Sequence, residues 1–420
     1  MTHHLDALET RAPEAREAAL MAALPVQIAH AQQHSAAFAD ILQGIDAAQI
    51  NTRAALAQLP VTRKYELLER QQALRGQDPF GGFAAIGWKG MVRSAGVRRV
   101  YQSPGPIYEP EGHAPDYWRA ARAMAAAGFE AGDLVHNCFS YHLTPGAWIM
   151  ESGAQALGCA VIPGGVGNTE QQLAAIADLR PGAYSGTPSF LKILVEKAAE
   201  ANQRLPITKA LVSGEAFPPS LRDWLAERGI AAYQCYATAD VGLIAYETQA
   251  REGLVIDEGV IVEIVRPGTG DPVAEGEVGE VVVTVLNPDY PLIRFGTGDL
   301  SAVMPGHCPT GRTNTRIKGW MGRADQTTKV RGMFVHPGQV AEIVKRFPEV
   351  SKARLVVSGE MANDQMAFKV ETQALNDEGL KARIADVVRD VTKLRGDVSL
   401  SAPGTLPNDG KVIEDARSYK

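Results

Sequence analysis

Residues 133–186 read DLVHNCFSYHLTPGAWIMESGAQALGCAVIPGGVGNTEQQLAAIADLRPGAYSG. The apolar runs at 133–140, 159–163 and 183–186 predict short strands, and the spacing over 147–158 and 169–178 predicts helices between them. Short strands alternating with helices predict a parallel sheet covered on both faces, because each parallel crossover needs a helix's length of chain. The expected class is α/β, doubly wound. On the N-terminal side, DYWRAARAMAAAG (116–128) reads as an amphipathic helix. Residues 5–75 read as a helical lead-in, with Leu20, Ala23 and Leu24 on one face and Leu56 and Leu59 repeating the step. Pro25 and Pro60 are expected to end or kink those helices.

The segment 81–112 is glycine-rich and broken, and its SPGPIYEP (103–110) reads as a rigid turn. Past Gly253 the texture becomes β-branched. VIDEGVIVEIV (255–265), GEVGEVVVTVL (276–286) and PLIRFGTGDLSAVM (291–304) are split by turns such as PGTGDP, which predicts an antiparallel sheet or barrel. A third texture starts near Gly322, with helices predicted at 336–347 and 380–391, strands at 352–359 and 365–372, and a short final strand. The predicted division is a large N-terminal domain, 1–322, holding a β subdomain over about 253–322, and a small α+β domain, 323–420.

Composition sets the outer bounds. Among 420 residues 45% are apolar and 21% charged, as in ordinary globular chains. A net charge of −6 argues against a broad basic surface for nucleic acid. No apolar run approaches the roughly 18 residues of a membrane span, and the polar start MTHHLDALET has no secretory pattern. Cys138, Cys159, Cys235 and Cys308 stand far apart, which suits free thiols in a reducing cytoplasm.

Five segments concentrate glycine and polar residues: SGEAF (213–217), QCYATADVG (234–242), RFGTGDL (294–300), GWMGRADQTTKVRG (319–332) and LPNDGK (406–411). Singly each has an ordinary explanation as a turn, a linker or a solvated lysine. Read together, in order, they resemble the adenylate-forming ligase superfamily, and within it the phenylacetate–CoA ligase branch. The resemblance extends over roughly residues 60–420 and implies the fold of acyl-CoA synthetases, a large α/β and β domain followed by a small mobile one. It further implies ATP, Mg²⁺ and coenzyme A as co-substrates and cofactor, a small carboxylic acid as substrate, and a possible homodimer.

Residue by residue, the resemblance implies that Lys411 neutralises charge between the acid and the α-phosphate. Asp299 would accept both ribose hydroxyls, and Arg323 would meet the ribose and phosphate. Tyr236 would stack on adenine beside Ala237, with Gly214 and Glu215 as the neighbouring wall. Asp240 would hold Mg²⁺, one methylene shorter than the branch's usual glutamate. Asp325 would be the hinge, and Phe139, Tyr141, His142, Gly164, Gly165 and Ala237 the acyl pocket. The phosphate-loop position is RVYQSPGPIYEP (99–110), where Ser103 and Gly105 keep the family type. There Pro104 and Pro106 lack N–H donors, Glu109 stands at a commonly cationic position, and Ala239 replaces a hydroxyl. No zinc is expected, since Cys308 has Thr310 at the second position of the branch's Cys-x-Cys pair, and four ligands are needed. GGVGN (164–168) lacks the spacing of a dinucleotide loop.

The expectation is an AMP-forming acid–CoA ligase for an aromatic or small substituted acid. Two alternatives stay open: a silent or regulatory binding protein on this scaffold, and an adenylating enzyme with an acceptor other than CoA.

Overall fold

The computed structural model describes residues 4–89, 93–324, 328–331, 333–335, 337–359, 364–407, 409 and 411–417. The chain forms two compact units. The first holds Met1–Val262, Val283–Thr297 and Met304–Trp320; the second holds Glu263–Val282, Gly298–Val303 and Met321–Lys420. The strands Val260–Val265, Gly279–Val285 and Phe295–Ser301 each give residues to both.

The sheet of the first unit runs, from one edge, through Ala160–Pro163, Leu134–Asn137, Ala183–Gly186, Lys209–Val212, Ala231–Thr238, Gly242–Glu247, Leu254–Ile256 and Arg316–Ile317. The first five are parallel, and from Ala231–Thr238 onward neighbours are antiparallel. Leu134–Asn137 has its successor in sequence on one side and Ala183–Gly186 on the other, with His136 opposite both Ile162 and Tyr184. The winding therefore reverses at this strand. In open α/β sheets such a reversal leaves a crevice at the carboxyl ends of the two flanking strands.

The crossover helices follow from their sequences. Pro188–Glu200 starts with Thr187 accepting the N–H of Phe190 and with Pro188 in the first turn; it buries Leu191, Leu194 and Ala198. Gly146–Ala156 and Thr169–Leu179 match the expected windows within two residues. One core cluster joins Tyr101, Trp118, Met124, Val135, Met150 and Leu243. Each such side chain contributes about 1.5–3 kcal/mol by leaving water.

Four expectations need correction. The helix Pro13–His34 does not end at Pro25 but runs past it, because Met21, whose carbonyl loses its partner, and Pro25 itself are both only half-buried and water can reach the gap. Residues 116–119 are not helical: Asp116 and Arg119 take left-handed backbone (φ +46° and +66°), and the helix is only Ala120–Ala126. Residues 103–110 are more than a turn. They belong to a β-hairpin in which Arg99–Ser103 pairs with Ile107–Glu111, from Arg99↔Glu111 to Ser103↔Ile107. Lastly, the run after Gly253 is divided: Leu254–Ile256 is a strand of the large sheet and pairs with Gly242–Glu247.

The second unit carries a sheet ordered Asp397–Ser401, Gln365–Thr372, Val350–Ser358 and Ile413–Asp415, so the one expected final strand is two. Its central pair is antiparallel and both outer pairs are parallel. Helices Pro337–Lys345 and Glu378–Thr392 bury Val340, Ile343, Leu380, Ile384 and Val388 in a core with Leu355 and Phe368. No helix among the described residues is long and apolar enough to cross a membrane.

Candidate active site

At the winding reversal, Leu134–Asn137 ends in Asn137, which is fully buried. Its Nδ2 donates to Tyr141 Oη at 2.9 Å and to Ala147 O at 2.9 Å. Tyr141 Oη in turn donates to Glu151 Oε2 at 2.8 Å, and the Tyr141 ring stands edge-on to Trp148 at 5.1 Å. Burial and the Glu151 carboxylate push the Tyr141 phenol up, so it stays a donor. Phe139 is half-buried, whereas His142 is exposed and takes no part in this relay beyond its N–H on Ser140 Oγ at 3.2 Å.

The 164–167 loop is held from below by Gln172. Its Nε2 donates to Gly165 O at 3.1 Å and to Gly167 O at 2.6 Å. Its Oε1 is 2.7 Å from His136 Nε2 and 3.1 Å from Cys138 Sγ. Because that amide oxygen can only accept, His136 Nε2 carries the proton. Burial lowers the His136 pKa, keeping the ring neutral. Gly164 packs against this pair: a Cβ there would lie 2.8 Å from Gln172 Oε1 and 2.9 Å from His136 Nε2. Gly165 N–H closes the loop on Asn137 O at 3.0 Å.

The hairpin 99–111 turns its polar side chains inward. Ser103 is buried and donates to Glu109 Oε1, so its hydroxyl is engaged inside the unit. Gly105 sits at the tip, ahead of a cis peptide to Pro106. Lys64 Nζ pairs with Asp240 Oδ2 at 2.9 Å. Glu109 is fully buried; burial first, and then the Asp240 charge, push its carboxyl up to about 8. Asp240 Oδ1, Glu109 Oε2 and Tyr290 Oη are buried without a hydrogen-bond partner among the described residues. Unsatisfied oxygens on two acids that feel each other's charge fit a hard divalent cation, which takes one or two carboxylates and completes its shell with water and phosphate. Among the described residues no three His, Cys, Asp or Glu gather as a metal-ligand group, so an ion here would have two acidic ligands and take its other donors from elsewhere.

The strand Lys209–Val212 delivers SGEAF at its carboxyl end. Gly214 has φ +84°, a left-handed conformation that favours glycine, with its Cβ position 3.6 Å from the Phe139 ring. Glu215 Oε1 accepts the N–H of Ser189 at 2.6 Å, at the start of helix Pro188–Glu200. Tyr236 Oη donates to Thr297 Oγ1 at 3.1 Å, and a bulge between Tyr236 and Ala237 re-aims the strand end.

In the second unit, Asp299 and Arg323 face each other across an isolated antiparallel bridge, with Nη1 3.1 Å from Oδ1. Asp299 is two residues beyond Thr297 on one strand. Asp325 lies outside the described residues. Lys411 is exposed and lines a cavity of about 770 Å³ with Arg266, Lys345, Lys352 and Glu342. The loop leading to it is anchored by the buried Arg354, whose guanidinium pairs with Asp409 and, at 3.2 Å, with Glu414, and also donates to Pro407 O at 3.1 Å. The Lys411 N–H closes on Asp409 Oδ1 at 3.1 Å.

Sequence reasoning did not single out Asn137, Glu151, Gln172, Lys64, Tyr290 or Arg354, since none lies in the five segments that concentrate glycine and polar residues. Asn137 alone carried a signal: it is a polar residue closing an apolar run that precedes a winding change. Cys308 is buried with its Sγ 3.3 Å from Thr248 Oγ1 and 3.0 Å from Thr310 Oγ1, and Arg312 Nη1 donates to Thr310 Oγ1 at 3.0 Å.

Comparisons with known proteins give the family and the fold. The profile of AMP-binding enzymes matches residues 117–285, and that of the AMP-binding enzyme C-terminal domain matches 332–416. The phenylacetate-coenzyme A ligase of Thermus thermophilus is 31% identical over 388 residues, 84% of each chain. That of Pseudomonas putida is 30% identical over 85% of this chain and 83% of its own, and that of Escherichia coli K12 is 31% identical over 74% and 72%. Among solved structures, an open conformation of 2-hydroxyisobutyryl-CoA ligase superposes with a TM-score of 0.70 at 24% identity, over 95% of this chain and 90% of that one. The chain belongs to the AMP-binding enzymes of the phenylacetate–CoA ligase family.

Proposed function

We propose that the protein is an AMP-forming ligase that activates an aromatic or small substituted carboxylic acid as its acyl-AMP and transfers the acyl group to coenzyme A. The observation that carries this reading is the Asp299–Arg323 pair, a carboxylate oriented by a guanidinium at 3.1 Å on the family's ribose-binding element. A carboxylate accepts two hydroxyl donors at once, as a ribose diol requires. Tyr236 would stack on adenine beside Gly214 and Glu215, and Phe139 with the Asn137–Tyr141–Glu151 relay would offer the acid an aromatic face with one polar edge.

In the first half-reaction an oxygen of the acid attacks the α-phosphorus, and the bond to the bridging oxygen of the leaving pyrophosphate breaks. Lys411 would neutralise the negative charge gathered there, an interaction strongest in the transition state. In the second, the CoA sulfur attacks the acyl carbon and AMP leaves with the carbon–oxygen electron pair. The domain 323–420, turning about Asp325, would withdraw Lys411 between the two steps. Mg²⁺, held through Asp240, would supply charge neutralisation at the phosphates. The four cysteines, all free and buried, suit a reducing compartment such as the cytoplasm.

The test is pyrophosphate release from ATP over a panel of aromatic and short branched acids, with thioester formation followed when CoA is added. Release that depends on the acid, and a thioester that depends on CoA, support the reading. Absence of release with every acid refutes it, and release without any thioester replaces CoA by another acceptor.

A further inference from the structure

Beneath the hairpin 99–111 two acidic side chains are buried together, Glu109 at 0% and Asp240 at 2% exposure. The cation paired with them is Lys64, whose Nζ engages one oxygen only, Asp240 Oδ2 at 2.9 Å. Glu109 Oε1 takes the Ser103 hydroxyl. That leaves Asp240 Oδ1 and Glu109 Oε2 with no hydrogen bond among the described residues although both are out of water. The Tyr290 hydroxyl, 2% exposed, feels the charge of both acids and is likewise without a partner. A buried polar atom left unpaired costs about 1–3 kcal/mol, so three in one cluster ask for a missing occupant. Two acid oxygens and a phenol oxygen are hard donors, which selects a small divalent cation over a soft one. Lys64 opens the way, since its side chain is 38% exposed and its ammonium occupies an oxygen that a cation would use.

We propose that Glu109 is a second acidic ligand, beside Asp240, for the divalent cation that accompanies the nucleotide, and that Lys64 is the counter-ion that leaves Asp240 when this cation binds. The cation's role in the reaction rests on the ligase reading, but its binding does not. Glu109 thereby turns a position that is commonly cationic in the family into one that recruits a cation. Lys64, released towards solvent, becomes available to the phosphate oxygens that a loop lysine would otherwise meet. The cluster changes from a carboxylate, a protonated carboxyl and an ammonium to two carboxylates around a divalent ion, and the Glu109 proton leaves to solvent as the ion binds.

The experiment is Mn²⁺ binding to the intact chain without nucleotide, read by loss of the free-ion electron paramagnetic resonance signal. The expected result is one Mn²⁺ per chain in the parent protein. Glu109→Gln, which keeps shape and removes charge, should weaken that binding by roughly tenfold or more, as loss of a supporting group at a metal site does. Lys64→Met should tighten it several-fold by removing the competing ammonium. Mn²⁺ should also raise the melting temperature of the parent, a readout that stands even if Glu109→Gln does not fold. A parent that binds no Mn²⁺, a Glu109→Gln variant that binds like the parent, or a Lys64→Met variant that binds no more tightly overturns the proposal. If binding follows the expected pattern while no acid gives pyrophosphate release, the ligase reading fails alone. An active ligase whose Mn²⁺ affinity ignores Glu109 removes only this inference.

Discussion

Replacing Gly164 by alanine should reach the proposed acyl crevice through Gln172, which holds the 164–167 loop. The added Cβ would stand 2.8 Å from Gln172 Oε1 and 2.9 Å from His136 Nε2, closer than real Cβ contacts allow, and 3.0 Å from His136 Cε1, at the tight limit. Neither neighbour can retreat cheaply, because His136 is fully buried and Gln172 is 4% exposed. If Gln172 rotates away, His136 Nε2 loses its acceptor at 2.7 Å, and Gly165 O and Gly167 O lose their donor. One buried group left unpaired costs about 1–3 kcal/mol, and the overpacking itself costs about 1–3 kcal/mol. The expected loss is therefore about 2–6 kcal/mol, or a substantially lower urea midpoint for the first unit. If the loop moves outward instead, stability is spared and the KM for the acid rises. Urea unfolding followed by circular dichroism, with kinetics on the same sample, separates the two routes. Gln172→Ala should cost stability alone but partly rescue Gly164→Ala, since it removes the colliding oxygen; such coupling is diagnostic of contact. An unchanged urea midpoint together with an unchanged KM would refute the reasoning.

Three further outcomes are expected. Lys411→Ala should abolish acid-dependent pyrophosphate release while leaving the circular dichroism melt unchanged, because this side chain is exposed and, among the described residues, Lys411 bonds through its backbone N–H; residual release above about 1% of the parent rate contradicts the assigned role. Asp299→Asn should weaken binding of a non-hydrolysable acyl-AMP mimic by roughly 10–100-fold, since hydrogen bonds to a charged acceptor contribute about 1.5–3 kcal/mol, and calorimetry showing equal affinity would count against a ribose contact. Asp116 is a pH probe: burial, opposed by the N–H groups it caps, pushes its carboxyl from 3.8 to about 7. The folded chain thus holds a proton that the unfolded chain has released between those values, so this residue's contribution to stability is intact below about 4 and is lost as pH rises to about 7. Asp116→Asn should flatten that fall in urea titrations at pH 5 and 8, and an unchanged slope would remove Asp116 as its source.

Much of the architecture was legible in the chain because local signals and global fold agree. The alternation over 133–186 marks strands and crossover helices since each short apolar run is too brief for a helix and is bounded by glycine or proline. The second unit was equally readable, its helices showing Val340 and Ile343, and Leu380, Ile384 and Val388, at helical spacing. The family segments were legible for another reason: Asp299, Arg323 and Lys411 lie among glycines and prolines whose order is distinctive even though each is ordinary alone.

Tertiary structure decided what local chemistry could not. The path of residues 103–110 depends on cross-strand pairing with 99–103, so two prolines and a glycine read as a bare turn when they are the tip of a hairpin. Pro25 is tolerated because its helix keeps that position near water, a property of packing rather than of proline. Leu254–Ile256 joins the large sheet because Gly242–Glu247 offers an open edge to it. Above all, Lys64, Glu109, Asp240 and Tyr290 are separated by up to 226 positions, yet the two acids, the phenol and the ammonium act on one another in one cluster. Period and composition report what a residue prefers among its near neighbours; which distant side chains share a dry interior, and so which protons and cations they must hold, is set only when the chain closes on itself.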